Sequence, residues 1–62
     1  MKYREIVRLV KADGWYLDCQ KGSHQQFKHP VKPGKVTIPY HGSNDDLIKP
    51  IVQSILKQAG LK

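Results

Sequence analysis

The chain's candidate for chemistry is the stretch Lys21-Gly22-Ser23-His24. It has the composition of a tight turn that feeds a strand and plants an imidazole where the strand begins. Lys21-Gly22 is expected to turn the chain, with glycine supplying the positive φ that tight hairpins need. Histidine titrates near neutral pH and is the side chain most often used to carry protons. Strand alternation places His24, Gln26 and Lys28 on one face and Gln25, Phe27 and His29 on the other, inward one. Lys21 then lies near the turn and Lys35 on the neighbouring strand. A solitary surface histidine is ordinarily inert, so the basic surroundings are what make His24 a candidate. An imidazole among ammonium groups is equipped to move a proton beside a bound phosphate.

Other chemistries fit the sequence less well. Cys19, His24, His29 and His41 match no zinc spacing, and strict alternation sends Cys19 and His24 to opposite faces, so no metal or cofactor is expected. Ser23 and His24 point apart on a strand and lack a third orienting group, which disfavours nucleophilic catalysis through the hydroxyl. Asp45 and Asp46 stand where helix-initiating acids usually stand. No glycine-rich phosphate loop is present. His29, just before Pro30, is expected to be structural or solvated, and His41 falls in a polar loop.

Charge narrows the partner. Eleven Lys and Arg against five Asp and Glu give 62 residues a net charge of +6. A field of that sign on so small a surface favours a nucleic acid or an acidic protein. Lys21, Lys28, Lys32 and Lys35 line two adjacent hairpin turns, and each phosphate contact adds salt-sensitive affinity. RNA also carries its own nucleophile, the 2′-hydroxyl, so a protein that aligns the chain and moves a proton can cleave it. Tyr16 can stack a base or cover its strand neighbours. Cys19 is the only cysteine, which excludes an internal disulfide and fits a reducing, cytoplasmic compartment. No long apolar run, signal pattern or basic-aromatic helix points to a membrane.

The elements that must position these residues are short. Tyr3, Ile6, Val7 and Val10 recur at helical spacing within residues 2–12, and Asp13-Gly14 stops that helix. Glu5 is placed to pair with Arg8 or Lys2. Trp15, Leu17 and Cys19 alternate with polar residues over 15–20, giving a strand with one apolar face. A second strand runs from Ser23 to His29 and ends at Pro30. Pro33-Gly34 has the signature of a type II turn, and a third strand covers Lys35 to Pro39. After a polar loop, Ile51, Val52, Ile55, Leu56 and Ala59 mark a second helix, with Pro50 at its first position and Gly60 beyond its end. The order α-β-β-β-α predicts one α+β domain over residues 1–62, an antiparallel meander with both helices on one face. Leu17, Cys19, Phe27, Val36 and Ile38 should meet the helices, leaving the other face open. So short a chain buries only about 60% of its unfolded surface, so the core is modest.

These residues resemble the HicA (YcfA-like) toxins, small mRNA interferases of bacterial and archaeal toxin–antitoxin pairs. The resemblance rests on Lys11-Ala12-Asp13-Gly14-Trp15, Lys21-Gly22-Ser23-His24, Val36-Thr37-Ile38-Pro39 and the tail Ser54 to Leu61, and spans nearly the whole chain. It implies a double-stranded-RNA-binding-domain-like fold and ribonuclease activity against mRNA. Within it the catalytic histidine falls on His24 and the motif's glycine and serine on Gly22 and Ser23; on the reading of an RNA-cleaving enzyme, Lys21, Lys28 and Lys35 would hold phosphates. It also implies a HicB-type antitoxin partner. Ile51-Val52 follow Pro50 where members commonly carry Gly-Thr, which adds apolar surface and removes a hydroxyl from the helix start. Two other classes remain open at this level: a non-catalytic double-stranded-RNA-binding module, and a pure protein-interaction domain.

Overall fold

A computed structural model describes residues 1–62, and its elements follow the expected order. Helix α1 spans Tyr3–Ala12, strands β1, β2 and β3 span Tyr16–Lys21, His24–Lys28 and Val36–Pro39, and helix α2 spans Lys49–Gln58. The strands form one antiparallel sheet in the order β1-β2-β3, so β2 is central. Both helices contribute to one core with Trp15, Phe27, Val36, Ile38 and Leu47. The helices donate Tyr3, Ile6 and Val10 from α1, and Val52 and Ile55 from α2, with Ala59 just past the α2 end. Val52 is buried and Ile51 half-buried, so the apolar pair after Pro50 does add core contact. Neither helix is long and apolar enough to cross a membrane.

Several local details differ from expectation. Helix α2 begins one residue early, at Lys49, and places Pro50 second, where its missing N–H still costs nothing. Glu5 makes no ion pair; its carboxylate accepts the Lys2 N–H at 2.9 Å and caps α1. Asp45 and Asp46 do not initiate α2, whose first turn holds no acid. They serve α1: the Asp45 carbonyl accepts the Tyr3 N–H at 2.8 Å, and the Asp46 carboxylate lies 3.6 Å from the Lys2 ammonium. A loop distant in sequence thus satisfies the N–H groups that a helix start leaves unpaired.

The largest difference is in β1. The hairpin loop is Gly22-Ser23, so Lys21 faces His24 across the closing pair. Gly22 has φ +59 and no non-glycine residue has positive φ, the sign combination of a type II′ turn. That turn pairs Gln20 with Gln25 and Cys19 with Gln26, whereas Leu17 pairs with Phe27. One residue, Asp18, is therefore extra, and the register shifts at a β-bulge between Leu17 and Cys19. Directly opposed residues share a face, so Cys19 joins Gln26 on the open side rather than the core. Leu17 keeps the inner side but lies on an edge strand the helices do not cover, and it is 46% exposed. Phe27, Val36 and Ile38 alone carry the sheet's contribution to the core.

The other edge of the sheet is blunted. The Thr37 N–H points away from β2 and donates to the Gln58 amide oxygen of α2 at 3.0 Å. Two residues on, Pro39 has no N–H to offer, so the edge gives little purchase to another strand.

The β2–β3 connector is clasped to the ends of both helices by Asp13, His29 and Lys32. His29 accepts the Val31 and Lys32 N–H groups on Nδ1, each at 3.0 Å, and donates from Nε2 to the Asp13 carbonyl at 2.7 Å. Its ring also packs edge-on against Trp15. The Lys32 ammonium bonds the Asp13 carboxylate and the Ala59 carbonyl, the latter at 3.0 Å. Histidine 29 is therefore structural, and Lys32 is occupied within the fold.

Two predictions follow from this clasp. Gly14 has φ +110, and a Cβ there would stand 2.6 Å from the His29 Nε2. Gly14→Ala should cost about 2 kcal/mol through backbone strain and displacement of the His29 ring. In a domain of this size that is a drop of roughly 10 °C in melting temperature, read by circular dichroism. The second concerns Asp13, whose pKa is held below its ordinary value by the Lys32 hydrogen bond, against an opposing push from desolvation. A carboxyl with a depressed folded-state pKa stabilises fully above its unfolded value and loses that contribution as pH falls through the folded one. The melting-temperature advantage of the parent over Asp13→Asn should thus be constant near neutral pH and shrink below about pH 4.

Candidate functional site

The open face of the sheet is built by alternation on three strands. Tyr16, Cys19 and Lys21 project from β1, His24, Gln26 and Lys28 from β2, and Thr37 and Pro39 from β3. His24 stands at the head of the central strand, flanked by Lys21 on one side and Pro39 on the other. It is exposed, with its ring free of any hydrogen bond within the protein. A ligand lying on this face meets the imidazole without displacing anything.

His24 owes its position to polar groups beneath the sheet. The Tyr3 hydroxyl donates to the Gln25 amide oxygen, the Gln25 amide donates to Gln20 at 3.1 Å, and the Gln20 amide donates to the Gly22 carbonyl at 2.9 Å. This chain runs from α1 through the core to the hairpin turn, and each bond polarises the next. Tyr3 is held further by an edge-on contact with Tyr40, and burial followed by the Tyr40 hydroxyl raises its pKa, so it stays a neutral donor. The Tyr40 N–H in turn donates to the Ser23 carbonyl at 2.6 Å. Gln25, one residue from His24, is the single buried polar side chain. Sequence reasoning placed it inward but gave it no role. An amide on the core face beside Phe27 was itself the signal, because a buried amide requires partners.

The lysines divide by environment. Lys21 faces His24 directly and makes no ion pair, so its charge is available to a phosphate. Lys28 lies four residues from His24 on the same strand and face, with its ammonium 3.7 Å from Asp18. Lys35 is exposed and unpaired but precedes β3 at the end remote from His24. It neighbours the Lys28 end of the sheet, roughly 13 Å along the strand from the imidazole. Ser23 and Gly22 form the turn itself, and a Cβ on Gly22 would meet nothing, so this corner is open to a ligand. His41 is exposed in the loop that follows β3, outside the strands. The expected separation of Cys19 from His24 does not hold, because the bulge brings both to the open face. Even so, no three His, Cys, Asp or Glu side chains converge as a metal site.

Two similarities bear on what such a face does. A family model described as the HicA toxin of bacterial toxin-antitoxin matches residues 3–61. A protein of Pseudomonas fluorescens (strain Pf0-1) named "Probable mRNA interferase HicA" is 39% identical over 62 residues, covering 100% of this chain and 98% of that relative.

Placement of the sole cysteine on the open face is directly measurable. Cys19 is half-buried beside Gln26 rather than enclosed in the core. A maleimide should label it in the folded protein at a rate insensitive to low urea concentrations, and an RNA bound on this face should slow the reaction. Labelling that appears only with global unfolding would return Cys19 to the interior.

Proposed function

The chain belongs to the HicA toxin family, and on that premise we propose that it is an mRNA interferase, an endoribonuclease that cuts with His24 as general acid or base. The observation that carries this reading is the exposed imidazole at the head of the central strand, paired across the hairpin with an unpaired Lys21. RNA supplies the nucleophile. Its 2′-oxygen forms a bond to the adjacent phosphorus as the bond from phosphorus to the 5′-oxygen breaks, leaving a 2′,3′-cyclic phosphate and a 5′-hydroxyl. The imidazole takes the 2′-hydroxyl proton or delivers one to the departing oxygen, and solvent exchanges the other at this open site. Lys21 stabilises the charge that builds on the phosphoryl oxygens. Ser23 positions the phosphate at the turn, and Lys28 and Lys35 draw the RNA backbone along the sheet. No metal is required by this scheme.

The partner implied by a toxin–antitoxin pair is a HicB-type antitoxin, and the same basic face suits an acidic surface laid over His24. Binding only the folded form, it would add stability to a small core. An mRNA substrate and a single free thiol fit a cytoplasmic setting.

The test uses a labelled mRNA in excess chelator. The parent should cleave it, and His24→Ala should be about 10²- to 10⁴-fold slower, while both bind RNA equally and show the same circular dichroism. DNA of the same sequence should survive, since it lacks the 2′-hydroxyl. Equal cutting of DNA, or undiminished cleavage by His24→Ala, would overturn the mechanism. RNA binding with no cleavage by either protein would make this a binding module instead.

A further inference from the structure

Among the protein's five aromatic side chains, four are engaged within the fold. Tyr3 and Tyr40 pack edge-on, Trp15 packs on His29, and Phe27 is buried in the core. Tyr16 has no aromatic partner and no hydrogen bond, and it is 50% exposed on the open face. It stands directly across from Lys28, whose charge is answered locally by Asp18. The two ends of the face therefore differ. The His24 end offers an unpaired ammonium to a phosphate, whereas the Tyr16 end offers an aromatic ring beside a neutralised ion pair. A phosphate gains less from Lys28, whose charge Asp18 answers, than from Lys21, and the backbone at this end is left to the unpaired Lys35; a nucleobase gains a stacking partner.

We propose that Tyr16 is the floor of a base-stacking subsite for single-stranded RNA, set apart from the scissile phosphate. Lys28 lies four residues along β2 from His24, so the ring is roughly 14 Å from the imidazole. That distance places the stacked base beyond the two nucleotides joined by the scissile link. The RNA runs along the strands, its reacting phosphate at the hairpin and one flanking base on Tyr16. Asp18 and Lys28 stand at the edge of that base, an acceptor and a donor together. Stacking tolerates every base, so this subsite sets affinity and the reach of the cut more than sequence. The inference rests on RNA being the ligand of the open face, but not on His24 being the catalyst.

Binding is measured with a fluorescent 2′-fluoro oligonucleotide, which lacks the 2′-hydroxyl and stays intact. A series of oligonucleotides each lacks one base, and the proteins are the parent, Tyr16→Phe and Tyr16→Ala, each verified as folded by circular dichroism. Tyr16→Ala should bind the complete oligonucleotide about 5- to 150-fold more weakly, and Tyr16→Phe close to the parent. The salt dependence should be unchanged, since no charge is removed. In the parent, removing one particular base should cost a similar factor. In Tyr16→Ala the same removal should cost little. Cleavage of the matching RNA should place that base outside the scissile dinucleotide.

Additive losses, a Tyr16→Phe as weak as Tyr16→Ala, or a sensitive base at the cut itself would overturn the proposal. So would the absence of RNA binding by the parent. A Tyr16→Ala protein that binds RNA normally but loses a protein partner would assign this end of the face to that partner. Binding with this base dependence but no cleavage refutes the catalytic reading and leaves the subsite standing; cleavage with Tyr16→Ala unchanged does the reverse.

Discussion

The register of the β1–β2 hairpin is the constraint on which the rest depends. A loop of Gly22-Ser23 makes Lys21 and His24 the closing pair, and that pairing puts an ammonium beside the imidazole. Continued unbroken past Cys19, the same register would carry Leu17 to the outer face, because a one-residue slip exchanges the two faces of a strand. The bulge at Asp18 absorbs the mismatch. Beyond it Leu17 faces Phe27 again, and the chain enters the sheet from Trp15 in the core. Turn geometry at one end and core geometry at the other are both satisfied at the expense of one unpaired residue.

The open face stands on a small interior. Eleven apolar side chains form the core, so polar clasps take on work that packing does in larger domains. Asp13, His29 and Lys32 hold the β2–β3 connector to both helices. Tyr3, Gln25 and Gln20 tie α1 to the hairpin turn. The members of each are bonded to one another, and no buried side-chain polar atom is left without a partner. The result is a hairpin tied by polar bonds to a modest hydrophobic base.

Positive charge is spent in two ways. Lys2 and Lys32 hold the fold together through Asp46 and Asp13, and Lys28 is shared with Asp18. Lys21 and Lys35 carry no ion pair and present their charge to solvent. The net value of +6 thus does not translate into a uniform basic surface. On the open face of the sheet the charge resolves into a corner at the hairpin, where Lys21 is unpaired, and a mixed aromatic and ionic end, where Tyr16 stands across from the Lys28–Asp18 pair.

The order of elements, the inward faces of both helices, the exclusion of a disulfide and the outward projection of His24 all followed from the sequence. These rest on short-range physics: helical and strand periodicity, glycine and proline at chain reversals, and formal charge. The tertiary structure decided the rest. Periodicity alone sent Cys19 inward because it cannot register an extra residue, whose insertion is set by the partner strand. Nor can spacing tell a lysine that clasps two helices, Lys32, from one left unpaired at the hairpin, Lys21, since ion pairing joins residues far apart in the chain. Gln25 shows the same limit: its inward direction was legible, but its partners Tyr3 and Gln20 come from two other elements. Local preferences name the pieces, and contacts between distant residues assign their work.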